Sequence, residues 1–127
     1  MTMRIFEKRS FEMVGQFFKA IEFDCPCEGC RHTLIDLVHV ARLDQLRREL
    51  ERPIRITSGY RCQRHNAKVG GSSNSLHMRG MATDTNSIKE SELAICRRIF
   101  PRVIVYPGYV HLDSKPGGKF FLDRRQH

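Results

Sequence analysis

The sequence lacks a long hydrophobic segment, because no stretch approaches the roughly 18 apolar residues that a membrane-spanning helix requires. Residues 1–9 carry charges and contain no apolar core of a secretory signal. We therefore expect synthesis in the cytoplasm without membrane insertion, and action elsewhere would need another route of release. Internal repeats and low-complexity segments are also missing, and 127 residues is the size of one domain, 1–127.

Acidic residues are too few to match the basic ones, since 14 Asp and Glu stand against 22 Lys and Arg, a formal net charge of +8. Such a surface favours anionic partners, namely nucleic acid, anionic cell-envelope polymers or a membrane surface. The chain has no long basic arm and no run of alternating aromatic and basic residues that would stack on bases. A nucleic-acid-binding domain is therefore a rival hypothesis only, and we expect no nucleic-acid partner.

Cysteines number five, an odd count that argues against a disulfide framework in a protein made in the cytoplasm. Cys62 and Cys96 stand apart from the others and are expected to be small buried side chains. The other three cysteines are clustered in one turn-rich segment and carry a separate hypothesis.

This cluster comprises Cys25, Cys27 and Cys30, and His32 follows two positions later. These four side chains could bind a structural zinc ion. Their spacing is tighter than in common zinc modules, which favours instead a loop near the mouth of a cleft, with Asp24 capping the turn.

The spacing of apolar residues predicts an α+β fold, with N-terminal helices packed on a mainly antiparallel sheet that carries the functional site. Helices are predicted at 11–21 with Ser10 as the cap, from about 34 to a point before Pro53, at 62–69 and at 88–100. Strands are predicted at 54–57, 82–85, 103–105, 109–113 and 120–122. The Pro107-Gly108 pair would form a hairpin turn between the third and fourth of these strands.

Two short stretches combine residues that can bind a metal. His77 and Asp84 are seven positions apart with Gly80 between them, which argues against a single helical face and favours a loop followed by a strand. On the next pair of strands, the two-residue period places His111 and Asp113 on one face. Two imidazoles and one carboxylate are typical of an open zinc site, where bound zinc lowers the pKa of water to about 7.

The order of these motifs resembles the D-Ala-D-Ala carboxypeptidase family of zinc peptidases, whose metal-site fold is shared with the hedgehog signalling domain. The likeness runs from about residue 23 to residue 113 and is strongest to small, single-domain members from phages and bacteria. It is carried by the following segments: Ile56-Thr57-Ser58-Gly59-Tyr60-Arg61, His65-Asn66, Val69-Gly70-Gly71, Ser75-x-His77-x-x-Gly80-x-Ala82-x-Asp84 and His111-x-Asp113.

The resemblance implies one catalytic Zn2+ ion with three protein ligands, which are His77, Asp84 and His111. It implies that Arg61 polarises the scissile carbonyl or holds a substrate carboxylate, a role that suits a permanently charged, forked guanidinium. Ser75 and Tyr60 would contact the substrate. Gly80 and Ala82 would keep the backbone beside the metal uncrowded.

The sequence departs from the family pattern at Gly108, where several branches place an acidic general base three residues before the last histidine ligand. The base would then be Asp113, unless this carboxylate instead orients an imidazole. His65 is the second candidate for the base. The missing acid also leaves open a catalytically inactive zinc-containing module that only binds the cell wall.

The function implied by the resemblance is that of a zinc-dependent metallopeptidase, which hydrolyses stem or cross-link peptides of peptidoglycan as a D,D-carboxypeptidase or an endopeptidase. A phage or prophage lysis enzyme would account for the lack of a secretory signal. Peptidoglycan peptides and anionic envelope polymers are the expected partners of a monomeric protein. We assign no catalytic role to His32, His39 or His127.

Overall fold

The computed structural model describes residues 2–125, so His127 lies outside the described residues. The strands are β1 (Met3–Glu7), β2 (Met13–Val14), β3 (Phe18–Lys19), β4 (His32–Asp36), β5 (Ile56–Ser58), β6 (Ala82–Thr85), β7 (Arg102–Tyr106), β8 (Tyr109–Asp113) and β9 (Phe120–Asp123). The α-helices are α1 (Leu37–Leu50), α2 (Gln63–Lys68) and α3 (Leu93–Ile99). Short 3-10 helices span Ala20–Phe23, Leu76–Arg79 and Glu90–Glu92. Within the described range, none of the helices has the length and apolarity needed to cross a membrane.

The main sheet has five strands in the order β5-β6-β8-β7-β9. All neighbouring pairs in it are antiparallel except β7 and β9. Two further pairs, β1-β4 and β2-β3, form separate two-stranded sheets. The α+β class predicted from the sequence is therefore confirmed, including the mainly antiparallel character of the sheet.

The helix predicted at 11–21 does not form. Residues in this segment instead build the β2-β3 hairpin, in which Val14 and Phe18 are opposite each other and both are buried. The turn between the strands is held by Asp44 of α1, which accepts hydrogen bonds from the backbone N–H groups of Gln16 and Phe17 at 2.7 and 3.3 Å. A partner about thirty residues away thus determines the local conformation, against the helical spacing of the segment.

Helix α1 begins at Leu37, three residues later than predicted. The preceding residues form β4, because Thr33 and Ile35 alternate into the interior while the strand pairs with β1. Asp36 then caps the helix by accepting a hydrogen bond from the N–H of Val38 at 2.8 Å. The helix ends before Pro53, as predicted, with Glu51 in the left-handed conformation at φ 57°.

The elements of the second half follow the prediction more closely. Strand β6 has the predicted bounds, and β7 and β8 form the predicted hairpin around Pro107-Gly108. The predicted helix at 88–100 is shorter, since its first residues form the 3-10 helix Glu90–Glu92 and α3 covers only Leu93–Ile99.

The core lies between helices α1 and α3 and one face of the main sheet. Val103, Val105, Val110 and Leu112 point into this core from β7 and β8. His39 of α1 is also buried there, and its two ring nitrogens contact the hydroxyls of Ser114 at 2.7 Å and Thr83 at 3.0 Å. Burial lowers the pKa of His39 to about 3, so this histidine is a neutral structural residue. The opposite face of the sheet presents Asp84 and His111 to a cleft.

Candidate metal centre and cleft

Three side chains that are distant in sequence converge on the open face of the main sheet. Oδ1 of Asp84 lies 3.0 Å from Nδ1 of His111 and 3.4 Å from Nε2 of His77. One possible ligand atom from each residue lies within 4.8 Å of the other two, a spacing suited to a single metal ion. The structure thus brings together the three residues that the sequence motifs predicted as ligands.

The sheet register positions two of these residues. Asp84 on β6 is directly opposite His111 on β8, which places both side chains on the same face. His77 comes from the 3-10 helix Leu76–Arg79, whose first turn is capped by the hydroxyl of Ser75 at 3.2 Å from the N–H of His77. Gly80 ends that helix at φ 69° and leads the chain into β6.

Gly80 has a different role from the one predicted. A Cβ atom at this position would lie 2.3 Å from the carbonyl oxygen of Leu34, so the constraint comes from the backbone of β4. Its left-handed conformation also favours glycine. The residue therefore allows the close approach of two backbone segments, rather than making space beside the metal ligands.

Each histidine has a partner that fixes its orientation. Nδ1 of His77 donates to the carbonyl oxygen of Gly59 at 2.7 Å, which leaves Nε2 facing Oδ1 of Asp84 at 3.4 Å. In its neutral form, His111 donates from Nε2 to Asp113 at 2.8 Å and keeps the lone pair on Nδ1. Metal-binding histidines are commonly oriented by such carbonyl and carboxylate acceptors. Two oriented imidazoles and one carboxylate fit the ligand preferences of zinc.

The ionised carboxylate of Asp84 favours a cation, whereas a proton competes with that cation for His111. Burial opposes the charged form of Asp84, but hydrogen bonds from His111 and His77 outweigh it and hold the pKa of the carboxyl well below its usual range. Burial likewise opposes protonation of His111, yet hydrogen bonds to Asp113 and Asp84 raise its pKa to about 8. At neutral pH and without a metal, His111 therefore carries a proton on each ring nitrogen. A divalent cation that binds Nδ1 must displace the proton there.

The three residues lie in a cleft of about 990 Å³. Its floor includes the cross-strand pairs Arg102–Asp113, Ile104–His111 and Tyr106–Tyr109 of the β7-β8 hairpin. The two tyrosine rings stack with centroids 4.8 Å apart at an angle of 12°. The sequence motifs did not identify Arg102, Tyr106 or Tyr109, although the predicted hairpin and the two-residue period together place them on this face.

Arg61 lies at the edge of the metal centre. Its Nη2 is 3.5 Å from Oδ2 of Asp84, and its Nη1 donates to Oδ1 of Asn66 at 3.4 Å. The backbone N–H of Arg61 also donates to the carbonyl oxygen of His77 at 3.1 Å, so the two residues are linked through the main chain. A forked cation is thereby held beside the ligands and within the cleft.

The family comparison agrees with this geometry. The model of the family described as Peptidase M15 matches residues 16–113, about three quarters of the chain. The chain belongs to the peptidase M15 family. A comparison with curated protein sequences gave no significant match. The resemblance to zinc D-Ala-D-Ala carboxypeptidases is thus confirmed. Membership of this family supports a zinc peptidase that acts in general on peptidoglycan-type peptides.

Only some of the other predicted site residues of this M15 domain line the cleft. Ser75 and Asp113 line the cleft together with Arg61, whereas Tyr60 and His65 do not. Gly108 lies at the tip of the hairpin with φ 89° and open space around it.

Asp113 is only 2% exposed, and both of its oxygens are engaged. Oδ2 contacts His111 and lies 3.1 Å from Nε of Arg102, while Oδ1 accepts from the N–H of Lys115 at 3.1 Å. This position favours a role in orienting His111 over a role as the general base, because a base needs an oxygen that can reach a water molecule.

The cysteine segment of the M15 domain does not lie at the cleft mouth, contrary to expectation, because none of its residues lines the cleft. The carboxylate of Asp24 accepts hydrogen bonds from the N–H of Arg9 and the hydroxyl of Thr33, and so does not cap the turn of the cysteine segment. Cys96 is buried as predicted, but Cys62 is partly exposed and lies beside the cysteine segment.

Proposed function

We propose that this M15 domain hydrolyses peptide bonds in the stem or cross-link peptides of peptidoglycan, with one catalytic zinc ion bound by His77, Asp84 and His111. The convergence of two oriented imidazoles and an ionised carboxylate in an open cleft supports this proposal. When bound there, zinc acts as a Lewis acid and lowers the pKa of water.

Arg61 provides the second positive charge of the site. A bidentate guanidinium can bind the terminal carboxylate of a D-Ala-D-Ala substrate or stabilise the oxyanion that develops on the scissile carbonyl. Its link to the backbone of His77 and its bond to Asn66 fix its position before the substrate arrives. This prior ordering is what makes electrostatic stabilisation effective in a partly buried site.

Other cleft residues suit peptide binding. The hydroxyl of Ser75 lies next to the histidine ligand that it helps to position and can hydrogen-bond the substrate backbone. The stacked Tyr106 and Tyr109 add an aromatic surface to the floor of the cleft. The net charge of +8 would favour retention on anionic envelope polymers, as expected for a phage or prophage lysis enzyme.

The decisive experiment is digestion of purified muropeptides by the zinc-loaded protein, followed by mass spectrometry of the products. Release of D-Ala would identify a carboxypeptidase, whereas a new amino group within a stem or cross-link would identify an endopeptidase. The protein treated with a chelator is the control, and activity should return when zinc is added.

A catalytically inactive module that binds the cell wall is the second candidate, and Gly108 is the observation that favours it. No acidic side chain stands at this position, and among the described residues the cleft-lining carboxylates are Asp84 and Asp113, both engaged with histidines. Sedimentation with peptidoglycan but no cleavage of any muropeptide by the zinc-loaded protein would support this candidate over the peptidase.

Replacement of Asp113 by asparagine tests its role. If Asp113 orients His111, the substitution should weaken zinc binding at the histidine site about 10- to 100-fold, the usual effect of losing such a partner. The dissociation constant can be measured by competition with a chromophoric chelator. Asp123→Asn on β9, outside the cleft, is the matched control. Unchanged zinc affinity together with loss of the acidic limb of the pH–rate profile would instead identify Asp113 as the general base.

A further inference from the structure

A second cluster of metal-binding side chains lies outside the cleft. Cys25, Cys27, Cys30 and Cys62 each offer a sulfur within 4.8 Å of the other three. The predicted fourth ligand, His32, is not part of this group, because it is exposed on β4 opposite Glu7. We propose that the four cysteines bind a structural zinc ion, separate from the one in the cleft.

The distances between sulfur atoms match those around a bound metal. Sγ of Cys27 lies 3.3 Å from that of Cys30 and 3.5 Å from that of Cys62, and the sulfurs of Cys25 and Cys62 are 3.8 Å apart. A tetrahedral zinc site with bonds of about 2.3 Å separates its sulfurs by about 3.8 Å. Disulfide sulfurs would be only about 2.05 Å apart. None of the five cysteines forms a disulfide, and the sulfur–sulfur distances in the cluster are those expected of zinc ligands.

Hydrogen-bond donors and one cation lie against the sulfurs. The N–H of Cys30 donates to Sγ of Cys27 at 3.5 Å, and the N–H of His65 donates to Sγ of Cys62 at 3.4 Å. Nζ of Lys8 lies 3.3 Å from Sγ of Cys30 and also donates to the carbonyl oxygen of Cys27. Zinc with four thiolates has a net charge of −2, and a lysine at this position offsets part of it.

Four protein ligands leave no coordination position open for water or substrate, which is typical of structural rather than catalytic zinc. Binding displaces the four thiol protons and forms four zinc–sulfur bonds without any change of oxidation state.

The position of the cluster indicates what the ion would stabilise. It joins segment 25–30 to Cys62, the residue that directly follows Arg61. Just before these two segments, the N–H of Tyr60 donates to the carbonyl oxygen of Phe23 at 2.8 Å. The loop held in this way supplies both Arg61 and the Gly59 carbonyl that orients His77. Any effect of this ion on catalysis, through Arg61 and His77, rests on the proposed function. The binding of zinc by the four cysteines does not.

Cobalt substitution tests the cluster independently of peptidase activity. Full-length protein loaded with Co2+ should show an intense thiolate-to-cobalt charge-transfer band, which a site of histidine and carboxylate ligands cannot produce. His77→Ala should keep this band, and Cys27→Ser together with Cys30→Ser should abolish it. Cys96→Ala is the matched control, because Cys96 is buried in the core away from the cluster. A protein that lacks peptidase activity but keeps the band would contradict only the proposed function.

Thiol titration gives a second measurement that requires no substitution. In the zinc-loaded protein the four cluster thiols should be protected from a thiol reagent, and a strong chelator should make four of them reactive. Absence of the charge-transfer band, or four freely reactive thiols in the presence of zinc, would overturn the proposal. Isolation of the protein with disulfides between these cysteines that form even when zinc is in excess would also overturn it, in favour of a redox role.

Discussion

Replacement of His77 by alanine should remove the zinc ion from the cleft and lower kcat/KM for a peptidoglycan peptide by at least about 10³-fold. The magnitude follows from the several kcal/mol of transition-state stabilisation that a bound metal supplies, at about 1.4 kcal/mol for each factor of ten. His77 is 3% exposed, donates to the carbonyl oxygen of Gly59 and faces Asp84, so the substitution removes a buried and oriented ligand.

The measurements for His77→Ala are steady-state kinetics and zinc content per chain. Metal analysis should show the loss of one zinc ion, while any zinc held by the cysteines should remain. His32→Ala is the control, because this histidine is exposed on β4 and does not line the cleft. Retention of full activity by the alanine variant would contradict the assignment of the metal centre.

The face of the sheet that carries the metal centre could be predicted because it depends on local rules. Strand period and hairpin geometry are properties of short segments, so the alternation around His111 and Asp113 is enough to predict the correct face. The spacing of His77 and Asp84 around Gly80 predicts a loop followed by a strand; the strand is present, whereas His77 lies on a short 3-10 helix. The register that sets Asp84 opposite His111 then completes the site.

The features that the sequence could not reveal depend on partners far along the chain. The β2-β3 hairpin exists because Asp44 closes its turn from α1, and no pattern within residues 11–21 indicates this. Cys62 is 37 positions from Cys25, so its place in the cysteine cluster follows only from the tertiary fold. Local spacing therefore favoured His32, a residue that the pairing of β4 with β1 turns away from the cluster.

The role of Asp113 shows the same limit within the candidate metal centre. Its position on the face of His111 was predictable, but the choice between base and orienting partner depends on which atoms it contacts. The contacts of its two oxygens with Arg102 and Lys115 involve tertiary and loop geometry. A motif can therefore place a carboxylate in a site without defining its function.

Replacement of Arg61 by alanine should lower kcat/KM about 10²- to 10³-fold, the usual effect of removing one preorganised donor to an oxyanion. Zinc content should not change, because Arg61 contacts Asp84 without being a ligand. Arg61→Lys should recover little of the activity, since an ammonium group cannot reproduce the forked geometry that reaches both Asp84 and Asn66.

The kinetic constants of Arg61→Ala separate its two proposed roles. A rise in KM with little change in kcat would indicate that the guanidinium binds a substrate carboxylate, as a carboxypeptidase requires. A fall in kcat would indicate stabilisation of the developing oxyanion, which carboxypeptidases and endopeptidases share. Arg55→Ala is the matched control, because Arg55 is exposed and lies outside the cleft. Equal activity of the two variants would show that the cation beside Asp84 has no part in the reaction, and the charge for substrate binding would then have to come from another basic residue of the cleft, such as Arg79 or Arg102.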